Sequence, residues 1–283
     1  MLEAEASLAP ADKMRPPSSR FAMEILGRRF FGFLLAVHGI GAFALITLGV
    51  LIRKFGVARA VIRPLVAQEI SRAGLRLVPM FLFASLALGF LVIGQTVSVL
   101  TRVGAANELL GNIMVIVVVR ELGPLFTAFL VLARVGTANV VELGTARAMG
   151  EVESLEAMGI DPVHYFVVPR VIGMVVAIVS LTVYLILGTL GSGYLWAFVQ
   201  DVPLQPGDYF NQLAGALTAL DFILLALKTG LFGFVIAIVT CFYGLAQPLR
   251  LDQISRATIR AVGQSIIVCV LLDALFIIAY LTL

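Results

Sequence analysis

Arg120 and Glu121 stand side by side in the apolar run Val115-Ile-Val-Val-Val-Arg-Glu-Leu-Gly-Pro124. Ionisable groups at bilayer depth cost about 2.5 to 3.5 kcal/mol each on insertion scales, so a span that carries two has a use for them. Neighbours on a helix point about 100° apart, and the two cannot neutralise one another face to face. Each therefore needs another partner. Lys228, in Leu224-Leu-Ala-Leu-Lys-Thr-Gly230, is the only lysine inside an apolar segment and the natural counter-charge for Glu121. Asp273, in Leu271-Leu-Asp-Ala-Leu275, is a second intramembrane acid that can cap or pair within a helix bundle. A cation and an anion together can grip a charged headgroup while apolar walls take acyl chains. The plainer use of the same residues is a buried ion pair that fixes helix register and touches no ligand.

Gly123-Pro124 follows the charged pair directly and is expected to break the helix there, freeing backbone carbonyls at membrane depth. Broken helices are tolerated where they line a cavity, which again favours a site at this level. Asp208 and Asp221 are expected at the outer interface, where an acid needs no special partner. His38, beside Gly39 and Gly41, reads as an interfacial histidine, and no second His or Cys stands at metal spacing from it. No metal site is expected. Cys241 and Cys269 fall inside apolar segments and read as packing residues, not a disulfide.

The elements that must carry these residues are membrane spans. The chain is 60% hydrophobic and 13% charged, with a mean hydropathy of +1.05, against roughly 45 to 50% apolar and about 25% charged in soluble domains. Runs of the roughly 20 residues needed to span a bilayer lie near 30–52, 77–100, 111–133, 163–199, 222–247 and 261–283. No segment of soluble-domain size remains between them. Residues 1–20, with Pro10, Pro16 and Pro17, read as a polar flexible tail, and no small-residue cleavage pattern marks a leader. The net charge of +3 reflects loop arginines; no basic face interleaves with aromatics, so nucleic acid is not expected as a partner.

Loop charge then sets topology. Arg20, Arg28 and Arg29 precede the first apolar run, and Arg53, Lys54, Arg59, Arg63, Arg72 and Arg76 follow it. Both flanks belong on the positive, cytoplasmic side, so 21–52 is expected to enter as an interfacial or re-entrant element without crossing. Five crossings follow. The 134–162 and 248–260 connections lie inside, the Lys- and Arg-free 200–215 loop outside, the N-terminus in the cytoplasm and the C-terminus in the periplasm. The run 163–199 is long for one untilted span, and Gly188, Gly191 and Gly193 are expected to end or bend it; with Gly230 and Gly233 they also permit close helix approach.

In the cytoplasmic connection, Met149, Val152, Leu155 and Met158 recur every three residues opposite Glu151, Glu153 and Glu156. This spacing predicts a short amphipathic helix over 145–158. Gly159 suits its left-handed C-terminal position, and Asp161-Pro162 suits the cap and first turn of the next helix. An acidic face fits an anionic membrane surface poorly, which leaves a protein partner as the better occupant. Arg134 and Glu142, eight residues apart, can share a helical face and are assigned to positioning this segment.

Together Arg120-Glu-Leu-Gly-Pro124, Ala133-Arg-Val-Gly136, Glu142-Leu-Gly-Thr145, Glu156-Ala-Met-Gly-Ile-Asp-Pro162, Val168-Pro-Arg170 and Ile254-Ser-Arg-Ala-Thr258 resemble, in order and spacing, the MlaE/YrbE family of ABC transporter permeases. The resemblance runs from about residue 35 to the C-terminus. It implies an all-α inner-membrane subunit that works as a homodimer, pairs with a cytoplasmic MlaF-like ATPase and a periplasmic MlaD-like MCE protein, and in some systems gains a MlaB-like STAS subunit. It further implies phospholipid or a related lipid as cargo, moved between inner and outer membranes. Segment 145–158 would be the coupling helix, 21–52 the interfacial helix, and the positions of Arg120, Glu121 and Lys228 would line the lipid cavity.

The chain has no Gly-rich loop ending in Gly-Lys-Ser/Thr, so ATP and Mg are expected in the partner and no cofactor in this chain. Two other functions compete. An ion- or proton-coupled transporter would use Glu121 and Asp273, but the few crossings and the missing internal repeat weigh against it. An intramembrane enzyme would need a nucleophile–base pair or His–acid cluster at depth, which the sequence does not offer.

Overall fold

Apolar segments in lipid must satisfy their own backbone polar groups, and helices do so within one segment. The computed structural model describes residues 37–53, 59–96, 113–199, 206–245 and 250–282, and no strand occurs among them. Five helical stretches are long and apolar enough to cross a bilayer: Ile62–Thr96, Val115–Ala148, Val163–Trp196, Ala219–Leu245 and Leu251–Tyr280. The protein is thus an all-α, multi-pass membrane protein. A shorter apolar helix, α1 (Val37–Arg53), precedes the five. The tail expected at 1–20 and the first part of the 21–52 element lie outside the described residues.

The spans belong to the second of two units, Met1–Ala42 and Phe43–Leu283. Helix α2 (Arg59–Ala73) passes through a tight turn at Leu75–Leu77 into α3 (Val78–Leu88), where Pro79 sits in the first turn and needs no amide donor. A wide turn, Gly89–Ile93, extends α3. Helix α4 (Val115–Ala148) runs well past the boundary expected near residue 133, with wide π-type turns at Val115–Leu122 and Leu132–Gly136. The short α5 (Glu151–Ala157) leads to α6 (Val168–Val199), then α7 (Pro206–Ala216), α8 (Ala219–Leu245) and α9 (Ile254–Thr282).

Helix α6 is the central post, packed against α2, α3 and α8, while α8 also packs against α4 and α9. Lipid tails are as apolar as leucine, so this packing depends on close backbone approach. Gly233 of α8 shows why: a Cβ there would lie 2.8 Å from the Val175 Cα of α6. The end expected at Gly188, Gly191 and Gly193 does not occur there, because α6 continues to Val199 and Gly193 seats the Ile93 side chain. Buried threonines return their hydroxyls to the preceding turn, Thr182 to the Ile178 carbonyl and Thr240 to that of Ile236, each at 2.7 Å.

Helix α7 closes one end of the bundle. Its Tyr209 and Leu213 are buried with Ile93, Met114, Val118 and Leu190. The Tyr209 hydroxyl donates to the Leu190 carbonyl at 3.2 Å, and burial pushes the phenol up to about 12. Within the second unit, α1 reaches the bundle through Phe43, edge-on to Phe242 at 5.8 Å.

Candidate functional site

Arg120 and Glu121 lie in the first wide turn of α4. The helix does not break at Gly123-Pro124: the Gly123 amide donates five residues back to the Val118 carbonyl, and Pro124 enters the first turn of regular helix. The wider winding absorbs the proline, so the expected break is corrected to a π-type turn. Proline still leaves a mark. It cannot give the Arg120 carbonyl its usual donor four residues on, and the Lys228 ammonium lies 2.8 Å from that oxygen.

Lys228 also approaches Glu121 Oε2 at 3.2 Å and Asp273 Oδ1 at 2.7 Å, with no exposed side-chain surface. The expected Lys228–Glu121 pairing is therefore present, and Asp273 is its second acid. Arg120 turns the other way. Its Nε lies 2.9 Å from Asp221 Oδ1 and its Nη2 donates to Oδ2 at 3.3 Å, while the guanidinium sits 5.0 Å from the Tyr280 ring centroid. That distance is within cation–π range.

The spacing of the partners explains the order. Asp221 and Lys228 are seven residues apart on α8, and Asp273 and Tyr280 are seven apart on α9, so each pair shares a helical face. Because α8 and α9 run oppositely here, Asp221 meets the level of Tyr280 and Lys228 the level of Asp273. The result is two tiers: Arg120, Asp221 and Tyr280 in one, Glu121, Lys228 and Asp273 in the other. Asp221, expected to need no special partner, is 2% exposed and closed inside the protein. It accepts the Thr218 amide and hydroxyl, each at 2.9 Å, and so caps the start of α8 while holding Arg120. Sequence reading missed this residue, although its seven-residue offset from Lys228 was a usable signal. Asp208 falls where its side chain is not described.

What remains open is distinctive. The Arg120 side chain is 27% exposed and that of Glu121 29%, while their partners are buried. The two adjacent residues thus present one cation and one anion outward from an otherwise closed cluster.

A second charged group lies at the opposite end of α4. Glu142 takes two hydrogen bonds from Arg72 of α2 and one from Arg170 of α6 at 3.1 Å. Arg170 also reaches Glu69 at 3.4 Å. A cavity of about 230 Å³ lies among these residues and Tyr165, Phe166 and Leu65. Glu142 thus ties three helices together; Arg134, its expected companion, is exposed eight residues earlier on α4, in the wide turn Leu132–Gly136.

The amphipathic segment differs from the expected continuous helix over 145–158. Helix α4 ends at Ala148 and the chain reverses at Gly150, whose φ of +79° lies in the left-handed region that favours glycine. Helix α5 then covers Glu151–Ala157 and closes at Gly159, φ +75°, with the Ile160 amide donating to the Leu155 carbonyl at 2.9 Å. That is a Schellman closure. Asp161 accepts the Val163 amide at 3.0 Å and starts the next helix. Of the apolar stripe, Val152 is 1% exposed and Leu155 half-buried, so these two hold α5 to the protein. Met149 and Met158, each 66% exposed, remain outward with the exposed Glu151, Glu153 and Glu156; Arg147 anchors Glu153 at 3.3 Å.

Comparison with known proteins bears on these features together. Residues 66–279 match the family model described as Permease MlaE. A probable ABC transporter permease protein of Rickettsia felis is 27% identical over 246 residues, covering 85% of this chain and 90% of the relative. The intermembrane phospholipid transport system permease protein MlaE of Haemophilus influenzae is 26% identical over 250 residues, 88% of this chain and 93% of its own length. The chloroplastic protein trigalactosyldiacylglycerol 1 of Arabidopsis thaliana is 27% identical over 201 residues, 71% of this chain and 57% of its own. Both charged clusters and α5 fall within the matched region.

Proposed function

The chain belongs to the MlaE permease family, and on that premise we propose that it is the transmembrane subunit of an ABC transporter that moves phospholipid or a related lipid between inner and outer membranes. The observation that carries this reading is the half-open pair Arg120 and Glu121, held by the buried Asp221, Lys228 and Asp273. A headgroup meets charge there while acyl chains lie against the apolar faces of the spans. Two copies enclose the lipid path, so the half-exposed pair of each faces a shared cavity.

The chain supplies no Gly-Lys-Ser/Thr phosphate loop, and its energy comes from a separate MlaF-like ATPase that binds ATP and Mg. Met149 and Met158, outward on either side of α5, with Glu151, Glu153 and Glu156, form the docking surface for that ATPase. Glu142, bonded to both Arg72 and Arg170, passes the movement of α5 and the end of α4 to α2 and α6. A MlaD-like MCE protein receives the lipid on the periplasmic side, and a MlaB-like STAS subunit can join the ATPase. The N-terminus and α5 are cytoplasmic and the C-terminus periplasmic.

Co-purification tests the reading. Tagged full-length chain is expected to bring down an ATPase, and the complex in liposomes to move fluorescent lipid only with ATP. Full lipid or ion transport by the chain alone, driven by a proton gradient through Glu121 and Asp273, would replace this reading with a secondary transporter.

A further inference from the structure

The two-tier cluster contains three carboxylates, Asp221, Glu121 and Asp273, and two cations, Arg120 and Lys228. Among the described residues, one negative charge of the cluster is uncompensated. Its location is set by burial: Asp221 is closed by Arg120 and Thr218, and Asp273 faces Lys228 inside the bundle, whereas Glu121 shares its lysine and keeps 29% of its side chain open. The unspent charge therefore faces outward at Glu121, beside the guanidinium of Arg120. An uncompensated charge in a poorly solvated place is costly, and a ligand cation delivered there is favoured.

We infer that Glu121 takes a counter-ion from the cargo, and that the site selects lipids whose headgroup carries an ammonium next to a phosphate. The phosphate lies toward Arg120, whose side chain keeps 27% of its surface open, and the ammonium toward Glu121. A zwitterionic head leaves the net charge of the site unchanged while giving Glu121 a counter-ion. A head that is only anionic adds a second uncompensated negative charge at the same place, which low dielectric penalises. Among the described residues, the side of the cluster away from the opening offers no competing cation, since Lys228 already serves Glu121, Asp273 and the Arg120 carbonyl. Tyr280 adds a ring face under Arg120 and no charge that alters this count.

This inference rests on the lipid-transport reading, and the experiment separates the two. The transporter complex is purified and equilibrated with an equimolar mixture of four lipids of matched acyl chains: phosphatidylethanolamine, phosphatidylcholine, phosphatidylglycerol and N-acetyl-phosphatidylethanolamine. The last keeps the ethanolamine shape without its positive charge. Retained lipid is counted by mass spectrometry. The two ammonium-bearing lipids are expected to be retained about tenfold over the two anionic ones, the equivalent of one charge-assisted hydrogen bond, and Glu121→Gln is expected to bring the ratio close to one. Equal retention of all four lipids, or enrichment of the anionic pair, overturns the inference and leaves lipid transport standing. A preference that persists in Glu121→Gln also overturns it, because the selectivity then arises elsewhere on the surface. Failure to retain any lipid, with no ATP-dependent lipid movement, overturns the transport reading itself. Should the variant fail to fold, the four-lipid comparison on the unaltered complex still decides the charge preference.

Discussion

Lys228 donates to the main-chain carbonyl of Arg120, while the Arg120 side chain is held by Asp221 one face-repeat earlier on the same helix as Lys228. Helix α8 therefore grips one residue of α4 twice, once by its backbone and once by its guanidinium. The arrangement fixes the wide turn of α4 against α8 and α9 and leaves Glu121 beside it half-open.

Replacing Lys228 by Ala strips both Glu121 and Asp273 of their cation inside the bundle. Removing one partner of a buried ion pair costs about 3 to 5 kcal/mol. A marked fall in melting temperature in detergent is expected, with part of it restored by adding Asp273→Asn. Additive losses in the double variant would refute the coupling.

Reversing the charge at Glu121 separates site from scaffold. Glu121→Lys sets like charge against Lys228 and is expected to impair ATP-driven lipid movement while leaving recovery of the ATPase in a pull-down intact. Wild-type lipid transport by this variant would remove Glu121 from the site.

Asp221 has two duties that substitutions divide. Asp221→Asn still accepts from Thr218 and keeps the helix cap but loses its charge for Arg120; Asp221→Ala loses the cap too, worth about 1 kcal/mol. Transport is expected to fall in both, with melting temperature falling further in the alanine variant. Unchanged transport in Asp221→Asn would show that Arg120 needs no fixed orientation.

On α5, two neighbours in the stripe should behave oppositely. Met149→Asp alters a side chain that is 66% exposed and is expected to weaken ATPase co-purification without moving the melting temperature. Val152→Asp places a charge where 1% of the residue is exposed and is expected to destabilise the protein by several kcal/mol. Loss of ATPase only in the second variant would place the docking surface elsewhere.

Gly150 tests the reversal before α5. A β-branched residue at φ +79° costs about 1 to 2 kcal/mol. Gly150→Val is expected to reduce ATPase recovery by redirecting α5, and a normal pull-down would show that α5 tolerates another approach angle.

The five long helices, and the Lys228–Glu121 pairing, were legible in the sequence because apolar length and isolated charges are strong, local signals. Asp221 was not, since an acid near the end of a span looks like an interfacial residue until the α4 arginine is seen beside it. The extent of α5 was misread for a different reason: a three-residue apolar rhythm passes unbroken through Met149 and Val152, and only the left-handed Gly150 shows that they belong to separate segments. Likewise, Gly123-Pro124 promises a break in sequence, whereas a change of winding accommodates it in the fold. Glu142 had two good partners on other helices, and spacing along α4 alone pointed to Arg134.

Pro124 withholds an amide from the Arg120 carbonyl and Lys228 stands in for it. A proline on one helix and a lysine on another, far apart in the chain, thereby meet at a single carbonyl oxygen. Across related sequences the lysine should therefore track its two acids more closely than the proline, because Glu121 and Asp273 hold it whether or not the amide returns.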